Sequence, residues 1–404
     1  MNKTILHMDL DTFFVSVERL LNRELQNKPL LVGGITDRGV VAACSYETRA
    51  YGIHSGMPMK MAKELCPEAK VIRGNAGTYS QYSDMVTEII QEHVPVFEKS
   101  SIDEFYADLS GMDRFFGCYK YATEMRRTIM RETGLPISFG LSVNKVVSKV
   151  ATNEAKPNNQ LKIDIGYEKA FLGPLSVKRI PMVGDKTYQT LRNLGVRYIK
   201  TIQEMPLDIM KRVLGANGTI IWKRANGIDN TPVTPFFDRK SISTERTFDR
   251  DTIDVVRLKG ILIAMTENLA YQLRRANKLT ACITVKIRYS DFNTYSKQMH
   301  IPYTSADHIL IPKILGLFNT LYQKRILVRL VGIRFSHLVS GNYQINLFED
   351  TEEILNLYKA MDGVRHRFGD RAVLRASAMG AKTIGRMQNP FNGQPPIVLA
   401  HRKQ

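Results

Sequence analysis

The stretch Ile5-Leu6-His7-Met8-Asp9-Leu10-Asp11 constrains this chain more than any other of its length. At the strand period of two, Leu6, Met8 and Leu10 share one face, and Ile5, His7, Asp9 and Asp11 share the other. Such a strand belongs inside a sheet, yet it delivers two carboxylates to its C-terminal end. Burying an unpaired carboxylate costs several kcal/mol, so these two require hydrogen-bond donors, a cationic partner or a metal ion. Asp11 has a plainer role open to it, as cap of the helix that starts at Thr12-Phe13-Phe14.

A second acidic site lies in Ser100-Ser101-Ile102-Asp103-Glu104-Phe105-Tyr106. Adjacent residues of a regular strand point to opposite faces, so Asp103 and Glu104 converge only at a turn or strand entrance. Two acidic sites on neighbouring strands suit a pair of Mg²⁺ ions ~3.5 to 4 Å apart, an arrangement that activates a hydroxyl and stabilises a phosphoryl leaving group. Acidic strand ends are also common without metal. Tyr46-Glu47-Thr48-Arg49 and Glu154-Ala155-Lys156-Pro157-Asn158 each set a cation beside a turn or helix end, suited either to a triphosphate or to an ordinary surface.

The 404 residues predict two to four domains at ~100 to 200 residues each. With 44% hydrophobic and 24% charged residues, disordered and low-complexity classes are disfavoured. No apolar run approaches the ~18 residues of a bilayer span, and carboxylates come too early for a signal peptide, so a soluble cytoplasmic protein is expected. Cys44, Cys66, Cys118 and Cys282 show no CxxC pairing and no histidine at ligand spacing in sequence, which reads as free thiols without structural zinc. The formal charge of +18 favours nucleic acid as partner over a membrane surface, because the surplus is not confined to one helix.

About half of that surplus lies between residues 240 and 340, where 16 Lys plus Arg face 7 Asp plus Glu. Asn230 to Pro235, with two prolines, reads as a linker before it. Within the basic segment Leu258, Leu262, Met265, Leu269 and Leu273 recur at helical spacing, and Ala281 to Tyr289 alternates as a strand. Ile283, Val285, Ile287 and Tyr289 form its inner face; Thr284, Lys286 and Arg288 form an outer face fit for phosphates or for solvent. The first ~165 residues alternate strands and helices, with the helices expected on one face of a sheet. Residues 165 to 233 read as short helices, with a turn at Met182-Val183-Gly184-Asp185-Lys186 whose amides could hold a backbone phosphate.

HMDLDTFFVSVE, CSYETRAYGIHSGMP, SIDE, GLSVNKVVSKVATNEAKPN and KSISTERTF occur in an order and spacing that resembles the Y-family, translesion DNA polymerases, and above all their DNA polymerase IV branch. The resemblance implies a multidomain α+β right-hand polymerase. Its ferredoxin-like α/β palm would be residues 1–10 and 76–164, the fingers 11–75, the helix-hairpin-helix thumb 165–233, the linker 234–240 and the α/β little finger 241–340. It implies Asp9, Asp103 and Glu104 as catalytic carboxylates that hold two Mg²⁺ with the carbonyl of Leu10. Phe13, Phe14, Tyr46, Arg49 and Lys156 become nucleotide contacts, with Phe14 as steric gate against a 2′-hydroxyl; on spacing alone Phe14 reads as core. Ala42 and Cys44 become a small roof over the template base, and Gly184, Lys186, Lys286 and Arg288 become DNA contacts. Gln344-Ile345-Asn346-Leu347-Phe348 is similar to a sliding-clamp peptide, anchored by Gln344, Leu347 and Phe348.

The implied enzyme is a monomeric, low-fidelity translesion polymerase acting on primer-template DNA with deoxynucleoside triphosphates, and no segment is long enough for a proofreading exonuclease. The alternatives are a catalytic subunit that needs partners and a silent DNA-binding accessory protein. Two departures stand out. Asn159 follows Asn158 where the family has Gly, and Met182 replaces the first glycine of the thumb turn. Thr351 to Phe368 reads as a helix, open to partner binding or to plain packing.

Overall fold

The computed structural model describes residues 3–36, 38–112, 117–236, 238–341, 351–369 and 372–381. They form two compact units that meet in sequence at residue 238. Among the described residues no helix is long and apolar enough to cross a membrane.

The first unit contains strands β1 (Ile5–Leu10), β2 (Leu30–Gly33), β3 (Val41–Cys44), β4 (Lys70–Ile72), β5 (Phe97–Lys99), β6 (Glu104–Asp108), β7 (Ile137–Ser142) and β8 (Gln160–Lys162). Five of them make one sheet in the order β5-β6-β1-β7-β8, so the strand with the carboxylates lies at its centre, antiparallel to both neighbours. Leu6, Met8 and Leu10 join Phe105, Phe139 and Leu141 on the apolar face, against helices Ala76–His93 and Cys118–Thr133. The second helix buries Cys118, Ala122, Met125, Ile129 and Thr133, spacings of three and four that keep one stripe inward. It stops where Gly134 turns left-handed and its N–H caps Met130 O.

A third helix, Lys145–Ala155, packs on the opposite face, against the expectation that all helices share one side. Gly140 of β7 permits it. A Cβ there would meet Ser148 O at 2.2 Å. With no side chain in the way, Ser148 Oγ donates to Ile5 O at 2.7 Å and Thr152 Oγ1 to His7 O at 3.0 Å. The same helix gives Val147 and Val150 to a second core, shared with Ile180, Leu191, Ile199, Ile202 and Ile221 of the short helices that follow. Strands β3-β2-β4 form a small sheet with its own core of Leu31, Val41, Cys44, Ile53 and Met59.

The second unit holds β9 (Ser241–Thr252), β10 (Lys278–Tyr289), β11 (Thr294–Thr304) and β12 (Val328–Ser340), all antiparallel in the order β11-β10-β12-β9. Helices Val255–Arg275 and Asp307–Leu321 cover one face, where Leu258, Leu262, Met265 and Leu269 meet Ile283, Val285, Ile287 and Phe335. Helix Thr351–Phe368 packs on this unit too. Arg274 donates to both oxygens of Asp362, at 2.6 and 2.9 Å, and the Tyr358 hydroxyl meets His308 Nδ1 at 2.8 Å.

Candidate active site

Register decides which acidic residues meet. Asp9 stands directly opposite Glu104 in the β1–β6 ladder, and cross-strand partners share a face. Asp103 lies one residue before β6, and its carbonyl accepts from Leu10 N–H at 3.0 Å. Ser101 shapes that entrance, because its Oγ accepts from Glu104 N at 3.0 Å and donates to Asp103 Oδ1. The strand thus begins between the two acids, which frees Asp103 from the alternation that would send it to the other face.

This polar face is roofed by the helix Lys145–Ala155. Lys145, Lys149, Thr152 and Lys156 follow one another at steps of four, three and four, a single helical stripe. Lys145 Nζ donates to both oxygens of Glu98 at 2.7 and 2.8 Å, and Lys149 Nζ to both oxygens of Glu104 at 2.7 Å. Thr152 Oγ1 meets His7 Nδ1 at 2.8 Å, and Lys156 pairs with Asp9 and reaches within 4.0 Å of Asp11. Sequence reasoning missed Lys145, Lys149 and Glu98, although the lysine stripe is legible once the helix is known.

Burial sets the proton affinities. It pushes Asp9 up to about 7 against the pull of Lys156, with Asp103 and Glu104 adding repulsion. Burial raises Asp103 as well, opposed first by the Ser101 hydrogen bond. His7 is wholly enclosed, and burial together with Lys149, Lys156 and Lys145 holds its pKa well below the usual value, so the ring is neutral. Hard oxygen donors crowded at a cost in desolvation and repulsion are what a divalent cation relieves. Lys149 and Lys156 are the cations that face these carboxylates within the chain.

Asp11 does not cap the helix after it; that helix has no side-chain cap. Its carboxylate instead accepts from Ser138 Oγ at 2.8 Å, from Asn158 N at 2.7 Å and from the Tyr46 hydroxyl at 3.4 Å. It thereby ties the loop after Lys156 to the sheet. The left-handed residue of that loop is Asn158, at φ 46°, rather than Asn159, and Arg126 holds it through its carbonyl at 2.7 Å.

Around this centre the other expected residues divide. Phe14 is half-buried and its ring stacks on Tyr79 at 4.3 Å and 13°. Tyr79 is fixed in turn by its hydroxyl on Glu18 Oε1, a partner that sequence reasoning did not single out. Phe13 lies in the core at 3% exposure, which leaves only its backbone to meet a ligand. Arg49 is exposed, with its guanidinium 4.9 Å from the centre of the Tyr46 ring. Burial and Asp11 push the Tyr46 phenol up, so it remains a donor. Ala42 and Cys44 do not share a surface. The β2–β3 register slips between Val32 and Gly33, Val41 and Cys44 both turn into the small core, and Ala42 alone is exposed. Cys44 therefore cannot offer its side chain to a template base.

Gly184 and Lys186 are exposed at the start of helix Asp185–Asn193. Met182 takes φ 76° with its side chain 62% exposed, so a methionine occupies the conformation that a glycine adopts freely. In the second unit Lys286 pairs with Glu245 across the sheet, and Arg288 Nε donates to Thr294 Oγ1 at 2.8 Å. Gln344, Leu347 and Phe348 lie outside the described residues.

The sequence pattern of the impB/mucB/samB family matches residues 8–153, and that of its C-terminal domain matches residues 239–347. DNA polymerase IV of Dehalococcoides mccartyi is 36% identical over 92% of this chain and 96% of its own. The chain belongs to the Y-family DNA polymerases, in their DNA polymerase IV group. The DNA polymerase IV proteins of Desulfatibacillum aliphaticivorans and Clostridium acetobutylicum are 33% and 32% identical, over 91% and 93% of this chain and 95% and 98% of theirs. A chimeric Y-family DNA polymerase of known structure superposes with a TM-score of 0.74 at 24% identity, covering 84% of this chain and all of its own, which agrees in fold. This Y-family member is a DNA-directed DNA polymerase of the translesion class, and that relationship brings dependence on a divalent metal.

Proposed function

We propose that the face formed by Asp9, Asp103 and Glu104 is the catalytic centre for adding deoxynucleotides to a primer 3′-hydroxyl, with two Mg²⁺ ions held by these carboxylates and the Leu10 carbonyl. The observation that carries this reading is the register of Asp9 opposite Glu104 with Asp103 tied to Leu10 N–H beside them. The ions, when bound, supply acidification of the attacking hydroxyl and charge balance on the departing pyrophosphate.

The chain's own residues do the rest. Lys149 pairs with Glu104 and Lys156 with Asp9, and Lys156, with Arg49 and Tyr46, would meet the triphosphate. Phe14, propped by Tyr79, stands as a rigid wall that leaves a ribose 2′-hydroxyl neither space nor a partner. On this reading the five-stranded sheet is the palm, the small sheet with residues 11–75 the fingers, residues 165–233 the thumb and 241–340 the little finger after a linker at 234–240. Gly184, Lys186, Lys286 and Arg288 contact DNA, Ala42 alone is the small residue over the template base, and Gln344, Leu347 and Phe348 bind the sliding clamp. The enzyme acts as a monomer of low fidelity.

Primer extension by the purified chain with Mg²⁺ and deoxynucleotides, run beside Asp103→Ala, tests the assignment. Distributive synthesis that vanishes in the variant is the expected result. Undiminished synthesis by Asp103→Ala refutes the metal site, and silence of the intact chain points to a subunit that needs partners.

A further inference from the structure

Cys282, His300 and His337 stand on β10, β11 and β12, three adjacent strands of the second unit. Cys282 faces His300 in one ladder and Ser336, the neighbour of His337, in the other. One ligand atom from each of the three lies within 4.8 Å of the other two. Sequence spacing hid this cluster, since its members are far apart along the chain and meet only through strand pairing.

The backbone departs from regular alternation to make it. The β10–β11 register shifts between Thr280 and Cys282, beside the cluster, and on β12 Phe335 and Leu338 both pack against the core although they are three residues apart. His337 lies between them at φ 52° and stays exposed. Histidine tolerates that region better than most residues, though at some cost. Its ring then stacks on His300 at 5.1 Å and 17°, beside a thiol that is 1% exposed.

One thiolate and two imidazoles are borderline-soft ligands, which select Zn²⁺ over the oxygen-seeking Mg²⁺. Bond lengths of about 2.0 to 2.3 Å in a tetrahedral site put ligand atoms about 3.3 to 3.7 Å apart, so the cluster has to tighten by about 1 Å, a movement that falls to the two exposed imidazole side chains. We propose that Cys282, His300 and His337 bind a single Zn²⁺ ion, with the fourth position open. The ion ties edge strand β11 to β10 and β12 and adds positive charge to the sheet face that also carries Lys286 and Arg288.

The test is titration of the full, chelator-stripped chain with Co²⁺, in excess Mg²⁺ to occupy the acidic site. A thiolate-to-cobalt absorption that saturates at one equivalent and is bleached by Zn²⁺ is expected, together with a rise in melting temperature on adding Zn²⁺. Cys282→Ser should lose the band. His300→Ala and His337→Ala replace exposed side chains and keep the fold, and each should weaken affinity at least about a hundredfold, as loss of a ligand exceeds the 10- to 100-fold typical of outer-shell partners. Absence of the band in the intact chain, or an unchanged titration in the two histidine variants, overturns the site.

Discussion

The two larger sheets carry charge in opposite ways. On the polar face of the five-stranded sheet Glu98, Glu104 and Asp9 are matched by Lys145, Lys149 and Lys156, with side-chain exposures of 10% and 12% for Glu98 and Lys145, and of 10% and 18% for Asp9 and Lys156. On the outer face of the four-stranded sheet, Lys286 and Glu245 pair at 35% and 40% exposure, and Arg334 is exposed. Coulomb energies scale inversely with the local dielectric, so charges on the first face interact strongly but against a large desolvation cost, whereas an exposed pair on the second is worth about 0 to 1 kcal/mol. On the function proposed above, the first sheet suits chemistry that needs a few strong fields, and the second suits binding that adds many weak ones.

The largest effect should come from neutralising a member of the buried set. Asp9→Asn keeps the shape but removes a charged member of the proposed metal site, and activity is expected to fall by about a thousandfold or more, since metal-assisted charge stabilisation supplies several kcal/mol of the barrier. Single-nucleotide incorporation rates measure it. A loss below tenfold would erase the distinction between the sheets.

Next in size is a change of shape. Gly140→Ala drives a Cβ to 2.2 Å from Ser148 O, so the helix bearing Lys145 and Lys149 must shift, at an expected cost of about 3 kcal/mol in urea unfolding. Gly184→Ala is the matched control, because nothing lies within 4 Å of the added Cβ. Equal stability of the two variants would mean that the helix is not seated by Gly140.

Legibility followed the same divide. The alternation of Leu6, Met8 and Leu10 against His7 and Asp9 suffices to read the central strand, and the acidic residues announce themselves by being costly to bury. What stayed hidden needed partners distant in sequence: Lys149 on Glu104, Tyr79 behind Phe14, Gly140 beneath Ser148. Local irregularity defeated the rest. The slip beside Val32 buried Cys44, and the strand entrance at Asp103 decided a convergence that alternation alone forbids.

A smaller effect separates the sheets by pH. The folded pKa of Asp9, about 7, lies above its usual 3.8, so the metal-free fold holds a proton that the unfolded chain releases. Stability from this group is complete below about pH 4 and is lost as pH rises to about 7. Mg²⁺ competes with that proton, and its stabilising shift in melting temperature should grow between about pH 5.5 and pH 8. A shift independent of pH would show that Asp9 is ionised throughout.

The smallest single effect belongs to the outer face of the second unit. Lys286 is already paired with Glu245, so Lys286→Ala removes one exposed ion pair and should leave the fold unchanged within about 0.5 kcal/mol. If the side chain meets a phosphate, DNA affinity should weaken by a few-fold, and the slope of log affinity against log salt should become shallower by about one, as expected when one released counterion is lost. Glu245→Ala is the sharper probe, because it frees Lys286 without removing it. Affinity should then rise, with a steeper salt dependence. A fall in affinity for Glu245→Ala would mean that the pair serves to orient the lysine, and the outer sheet would then resemble the inner one in relying on placed charges rather than on their sum.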